Sequence, residues 1–146
     1  MGSRIVSDVI NSYHDLRVWQ DAMALADSCY VVTRSFPREE MFGLTSQIRR
    51  SATSIAANIA EGYGRENSRT YIHFLRIAQG SLKELETHLL ISQRVNLAPA
   101  SVVEPILERC DPLGRMLRIL IRSIEEKKWR RAPTAYCLLP NAKGDP

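Results

Sequence analysis

The chain has 146 residues, 45% apolar and 25% charged, enough for one domain with a substantial core. It contains no run of eighteen apolar residues and no apolar signal core near its start, so neither a membrane span nor secretion is expected. Its formal net charge is +4 and its pI about 9.2, a mild basic balance that suits nucleic-acid contact but is common among ordinary proteins. Cys29, Cys110 and Cys137 are widely spaced without a CxxC pair. A disulfide framework or zinc site is therefore not expected, and a reducing, cytoplasmic compartment fits best.

Residues 1–14 read as an N-terminal arm: Met1-Gly2-Ser3 look like a vector remnant, Arg4–Ile10 suit a short helical or extended piece, and Asn11-Ser12 a break. Asp15 then offers an N-cap for a first helix running to about Arg34. Leu16, Trp19, Met23, Ala26, Tyr30 and Thr33 recur at alternating three and four, which places them on one stripe and predicts the seam of that helix. Phe36-Pro37 stops it. Pro37–Phe42 suits a short turn with acids at its start, closed by Gly43. The next stretch, Leu44–Gly64, is almost uninterrupted in helical period. Leu44, Ile48, Ala52, Ile55 and Ile59 share one face, and Ala56, Ala57 and Ala60 widen it with small side chains that permit close helix approach. Thr45 or Ser46 suits its N-cap, and one glycine of Gly62-Tyr63-Gly64 a left-handed C-cap.

Asn67 or Ser68 caps a third helix, in which Tyr71, Leu75, Ala78, Leu82, Leu85, Leu89 and Ser92 form a sustained stripe. Gly80, mid-helix beside Ser81, suggests a close crossing. Val95-Asn96 ends the helix. Ser101, with Glu104 three residues on, predicts a capping box for a fourth. There Val103, Ile106, Cys110, Leu113, Leu117, Leu120 and Ile124 continue in phase across Pro112, which predicts a kink rather than a stop. After Trp129 periodicity is lost. The fold class expected is all-α: residues 15–130 form an antiparallel up-down-up-down four-helix bundle, and 131–146 an irregular tail.

The segments LRVWQDAMALADSCYVVTRSFPREEMFGLTSQIRRSATSIAANIAEGYGR and FLRIAQGSLKELETHL resemble the four-helix-bundle proteins encoded in 23S rRNA intervening sequences. The likeness runs from about Asp15 to Ile124. It is densest at Trp19-Gln20, Ser35-Phe36-Pro37, Glu40–Gly43, Gln47–Arg50, Asn58–Gly64 and Gly80–Glu86, and departs at Pro112 and after Trp129. The resemblance implies an up-down bundle assembled as a homopentamer. It also implies kinship with the accessory variability determinant of diversity-generating retroelements, a basic pentamer that binds reverse transcriptase and nucleic acid.

No catalytic constellation is present. His14, His73 and His88 are too scattered for a metal site, and Cys110 falls on a core stripe, where an apolar filler is the default. Glu84 and Glu86 diverge by about 200° around their helix and cannot flank one bond. They suit structural ion pairing with Arg49 or Arg50 on the preceding helix. Asn58 and Glu61 suit hydrogen bonds across a helix interface. Gly62-Tyr63-Gly64 lacks the strand and Lys-Ser/Thr of a phosphate loop.

The sharper candidates are basic. From Leu113 to Arg131 seven basic residues face two acidic ones. Arg115, Arg118 and Arg122 form one ridge, extended by Lys127, Lys128, Arg130 and Arg131. Arg65, Arg69 and Arg76 do the same on the third helix. The bland alternative is a solvated face with cations at a helix C-terminus. With the pI and the resemblance, the set favours nucleic-acid contact directed mostly at phosphates. The expected protein is a non-enzymatic homo-oligomer without cofactor or metal. Its partners are further copies of itself, RNA or DNA, and a reverse transcriptase or ribosomal component. The alternatives are a protein-interaction scaffold with no nucleic-acid role, or an accessory partner of a reverse transcriptase.

Overall fold

A computed structural model describes residues 9–126. They form four long helices and no β-strand: α1 (Arg17–Thr33), α2 (Leu44–Tyr63), α3 (Ser68–Arg94) and α4 (Ala100–Glu125). Short 3-10 turns at Tyr13–Asp15 and Arg38–Glu40 precede α1 and α2. Each helix packs against its neighbours in sequence and α1 also packs against α4, while α1 with α3 and α2 with α4 make no close backbone approach. Four helices thus enclose one core. Ser54 meets Ser81 while Gly62 meets Tyr71 and Phe74, so α2 and α3 run in opposite senses. Arg76 with Glu125 and Leu82 with Gly114 give the same relation for α3 and α4. The helices span Arg17–Glu125, and the tail boundary at 131 lies outside the described residues.

The stripes of α3 and α4 face inward as their periodicity predicts. Tyr71, Leu75, Ala78, Leu82, Leu85, Leu89 and Ser92 are all buried, as are Val103, Ile106, Cys110, Leu113, Leu117, Leu120 and Ile124. So are Ile48, Ala52, Ile55 and Ile59 of α2. In α1 the inward stripe is displaced by about one residue from the expected one. Val18, Ala22, Leu25, Cys29 and Val32 are buried; of the expected stripe Leu16, Ala26 and Thr33 are buried too, whereas Met23 and Tyr30 are exposed and Trp19 is only half-buried. Spacing alone fits both stripes, and the larger side chains lie on the outer one.

The helix ends differ from several expectations. Asp15 does not cap α1. It belongs to the preceding turn, where Ser12 and Asp15 form a capping box, and the buried Leu16 opens α1 without a side-chain cap. Neither Thr45 nor Ser46 caps α2; the Leu44 amide donates to Glu40 Oε2 at 2.9 Å. Ser101 and Glu104 form no capping box, because α4 starts two residues earlier than a Ser101 cap requires, behind Pro99 in extended geometry. Asn67 caps α3 as expected, its Oδ1 accepting from the amide of Arg69 at 2.8 Å. No glycine of Gly62-Tyr63-Gly64 adopts a left-handed conformation. Asn96 does, with φ 60°, and the Leu97 amide reaches back to Ser92 O at 2.9 Å, closing α3. Helix α4 runs unbroken through Pro105 and Pro112.

Two glycines exchange the roles their context suggests. A Cβ on Gly80 would meet nothing within 4 Å, so no close crossing occurs there. A Cβ on Gly62 would lie 2.8 Å from Phe74 Cβ and 2.9 Å from Tyr71 Cδ2, so the tight approach is between the C-terminal end of α2 and α3. Two opposite outcomes are expected in denaturant unfolding. Gly80→Ala should stabilise by up to about 1 kcal/mol through helix propensity. Gly62→Ala should destabilise by about 1–3 kcal/mol, because the rigid stems of Phe74 and Tyr71 must move. Equal shifts would contradict this packing.

Cys29 on α1 and Cys110 on α4 are free and buried. Burial, reinforced by the charge of Cys110, pushes Cys29 up to about 12 against the opposing pull of Arg109. Burial, reinforced by Glu86, pushes Cys110 up to about 12 as well, with Lys83 and Arg109 opposing. In the unfolded chain thiols titrate near about 8.5, so above that pH the folded state binds more protons. Stability conferred by the thiols should therefore be intact below about pH 8.5 and fall as pH rises toward the folded value. Unfolding free energies measured from pH 8 to 11 should fall less steeply in the Cys29→Ala/Cys110→Ala variant than in the wild type.

Candidate nucleic-acid interface

The basic residues of α3 and α4 are exposed, but they are not equivalent. On α4, Arg115 pairs with Asp111 one turn earlier. Arg118 and Arg122 are exposed and form no ion pair among the described residues. Near α3, Arg65 lies before the helix begins. It is held by Glu61 at 2.9 Å and stacks on the Phe74 ring at 5.0 Å, so it does not join the α3 ridge. Arg69 and Arg76 do share that ridge, with His73 between them. At positions i, i+4 and i+7 the three side chains leave the helix within an arc of about 60°. Lys127, Lys128, Arg130 and Arg131 lie outside the described residues.

The two ridges meet at one contact. Glu125 continues the α4 row at three residues beyond Arg122, and its Oε1 accepts from Arg76 Nη2 at 2.8 Å. The groove beside that contact has a volume of about 810 Å³ and is lined by Arg69, His73, Arg76 and Glu125 over Ile72 and Ile124. Both members of the Arg76–Glu125 pair are well exposed, so the pair contributes about 0–1 kcal/mol and is readily exchanged. Neither His73 nor Glu125 stands out in the sequence. The available signal was the three-residue step from Arg122 to Glu125, which carries the row on with the opposite charge.

The ion pairs expected between Arg49 or Arg50 and Glu84 or Glu86 are not those formed. Arg49 turns toward α1, its Nε donating to Thr33 Oγ1 at 2.9 Å and its guanidinium lying 4.6 Å from the Tyr30 ring centroid. Arg50 is exposed. Glu84 contacts His88 at 3.3 Å and Glu86 contacts Lys83 at 3.0 Å, both within α3. The reason is the azimuth of each side chain. Glu86 lies on the side of α3 near Cys110 of α4, whereas Arg49 leaves α2 on the α1 side. Asn58 contributes to the α2–α3 seam indirectly: its Nδ2 donates to Ser54 Oγ at 3.0 Å, and that hydroxyl meets Ser81 Oγ at 2.8 Å. Glu61 instead pairs along the chain with Arg65.

No three His, Cys, Asp or Glu side chains come together as a metal-ligand set among the described residues. None of the described helices is long and apolar enough to cross a membrane. A second surface feature lies on the opposite pair of helices. Trp19, Met23 and Tyr30 of α1, joined by Tyr13 of the preceding turn, form an apolar groove of about 380 Å³ against Ala57 and Ala60 of α2. Phe42 in the α1–α2 connection is 92% exposed, beside an exposed Met41.

The family model for the 23S rRNA-intervening sequence protein matches residues 14–118. The chain belongs to this family. The match covers all of α1, α2 and α3 and most of α4. Among solved structures the chain is similar to a protein of unknown function from the S23 ribosomal protein family of Bacteroides thetaiotaomicron. That likeness has 25% identity and a TM-score of 0.67, covering 72% of this chain and 98% of that one. No curated protein matches the chain. The α4 ridge extends past the family match, since Arg122 and Glu125 lie beyond residue 118.

Proposed function

We propose that this family member is a non-enzymatic, cytoplasmic homo-oligomer that binds RNA, alone or within a ribonucleoprotein, through the basic faces of α3 and α4. The observation that carries the reading is the convergence of two exposed basic rows, Arg69–His73–Arg76 and Arg115–Arg118–Arg122, on the single contact Arg76–Glu125. Such a surface offers guanidinium forks to phosphates and little to base edges, so binding depends on charge more than on sequence. The names of the family and of its structural neighbour point to ribosomal RNA as the first RNA to try. A homo-oligomer would repeat the rows around its axis and add avidity.

Self-association is supported by the apolar groove and the Phe42 knob. They are different patches of one surface, so a knob-into-groove contact is heterologous, and such contacts close into rings when their rotation permits. The pentamer that the resemblance implies is one such ring. The same two patches would also suit a scaffold for other proteins, including a reverse transcriptase, with the arginines acting only as a solvated face.

Two measurements decide between these readings. In mobility-shift titrations with structured RNA, affinity should fall steeply as salt rises, and Arg115→Gln/Arg118→Gln/Arg122→Gln should weaken it with helicity unchanged. Affinity no better than millimolar at low salt, or insensitive to salt, would exclude the RNA reading. By light scattering the wild type should exceed monomer mass at micromolar concentration, and Phe42→Glu should lower that mass. A monomeric wild type would remove the ring and its avidity.

A further inference from the structure

The geometry points to the groove between the start of α3 and the end of α4 as a site for successive RNA backbone phosphates, with Glu125 as a built-in competitor occupying Arg76. This assignment rests on the RNA-binding reading above and names where on that surface the backbone is held and what it must displace.

The groove is bounded on one wall by Arg69, His73 and Arg76, all exposed, and on the other by Glu125, over a floor formed by the half-buried Ile72 and the buried Ile124. Seven residues of helix separate Arg69 from Arg76, a rise of about 10 Å, longer than one phosphate group. The row therefore presents two guanidinium forks at separate positions along a strand, with an imidazole between them. A lone anion would use only part of it.

Arg76 is not idle without RNA. Its Nη2 donates to Glu125 Oε1 at 2.8 Å, so a carboxylate already takes the place a phosphate oxygen would take. Arg69 forms no ion pair among the described residues and is available at once. Binding at Arg76 is then an exchange of carboxylate for phosphate, in which Glu125 loses its partner and remains as a like charge beside the incoming strand. Glu125 weakens binding twice over, by masking Arg76 and by repelling its replacement. The groove would reject weakly charged anions and accept a polyanion that brings many charges at once.

Removing either end of the pair breaks the same contact with opposite consequences for RNA. Titrations with structured RNA at several salt concentrations should show Glu125→Gln binding about three- to tenfold more tightly, with a steeper salt dependence because Arg76 now counts in full. Arg69→Gln/Arg76→Gln should bind at least about tenfold more weakly, with a shallower salt slope by about one to two units. If the pair mattered only to the packing of α3 on α4, both variants would shift affinity in the same direction, and that result would overturn the assignment. Wild-type binding that neither variant alters would also overturn it while leaving the RNA reading on the α4 ridge intact. No wild-type binding at low salt would remove the RNA reading itself. Polyphosphate should displace the RNA at lower charge concentration than polyglutamate; equal displacement would make the groove a general polyanion surface and overturn its assignment to phosphate. Helicity and thermal melting of each variant confirm that the bundle compared is folded.

Discussion

The close approach of α2 to α3 sets the geometry on which the surface depends. At its C-terminal end α2 presents Gly62, where even a methyl group would strike Phe74 and Tyr71. About one and two turns earlier Asn58 and Ser54 pass a hydrogen-bond relay to Ser81. Small side chains let the helices come close, and the serine contact fixes their register where apolar side chains alone would permit sliding. Once α3 is held there, the adjoining part of its inward face must accept α4. Leu82 packs beside Gly114, and the same antiparallel alignment brings Arg76 to Glu125. The polar groove is a consequence of register set at the α2–α3 seam.

Most of the core was legible because its signal is redundant. The stripes of α3 and α4 each repeat seven times at three and four, with aliphatic residues at nearly every step and charged residues between them. Even the prolines of α4 do not obscure the phase. Helix α1 was harder for a physical reason. It has an inner row, Val18–Ala22–Leu25–Cys29–Val32, and beside it the larger Trp19, Met23 and Tyr30, and periodicity measures spacing without telling inside from outside. In the fold the smaller row enters the core, and Trp19, Met23 and Tyr30 line the surface groove.

Partner choice among charged side chains was the least legible property. Arg49 and Glu84 sit on helices that do pack together, yet each finds a partner elsewhere, because a long side chain takes the partner within its own azimuth. Thr33 and Tyr30 are in that position for Arg49, and no pattern along the chain announces it. The Arg76–Glu125 contact joins residues 49 positions apart and depends wholly on how α3 and α4 align. The stripes fix the helices, and the helices fix the pairs.

The pairs in turn change what the arginines can do. Of the six candidate arginines within the described residues, Arg65, Arg76 and Arg115 each hold a carboxylate, and Arg69, Arg118 and Arg122 form no ion pair there. The field felt at a distance is therefore smaller than a count of arginines suggests, which limits binding to isolated or weakly charged anions. The pairs are exposed, so each resists exchange only weakly. A polyanion that first settles on the unpaired arginines raises the local phosphate concentration beside the paired ones, and each carboxylate is then displaced in an effectively intramolecular step. A surface of this kind responds to the number of charges a ligand carries on one chain more than to their total concentration. On the RNA-binding reading proposed above, that preference would separate a nucleic-acid backbone from small anions with no contact to a base.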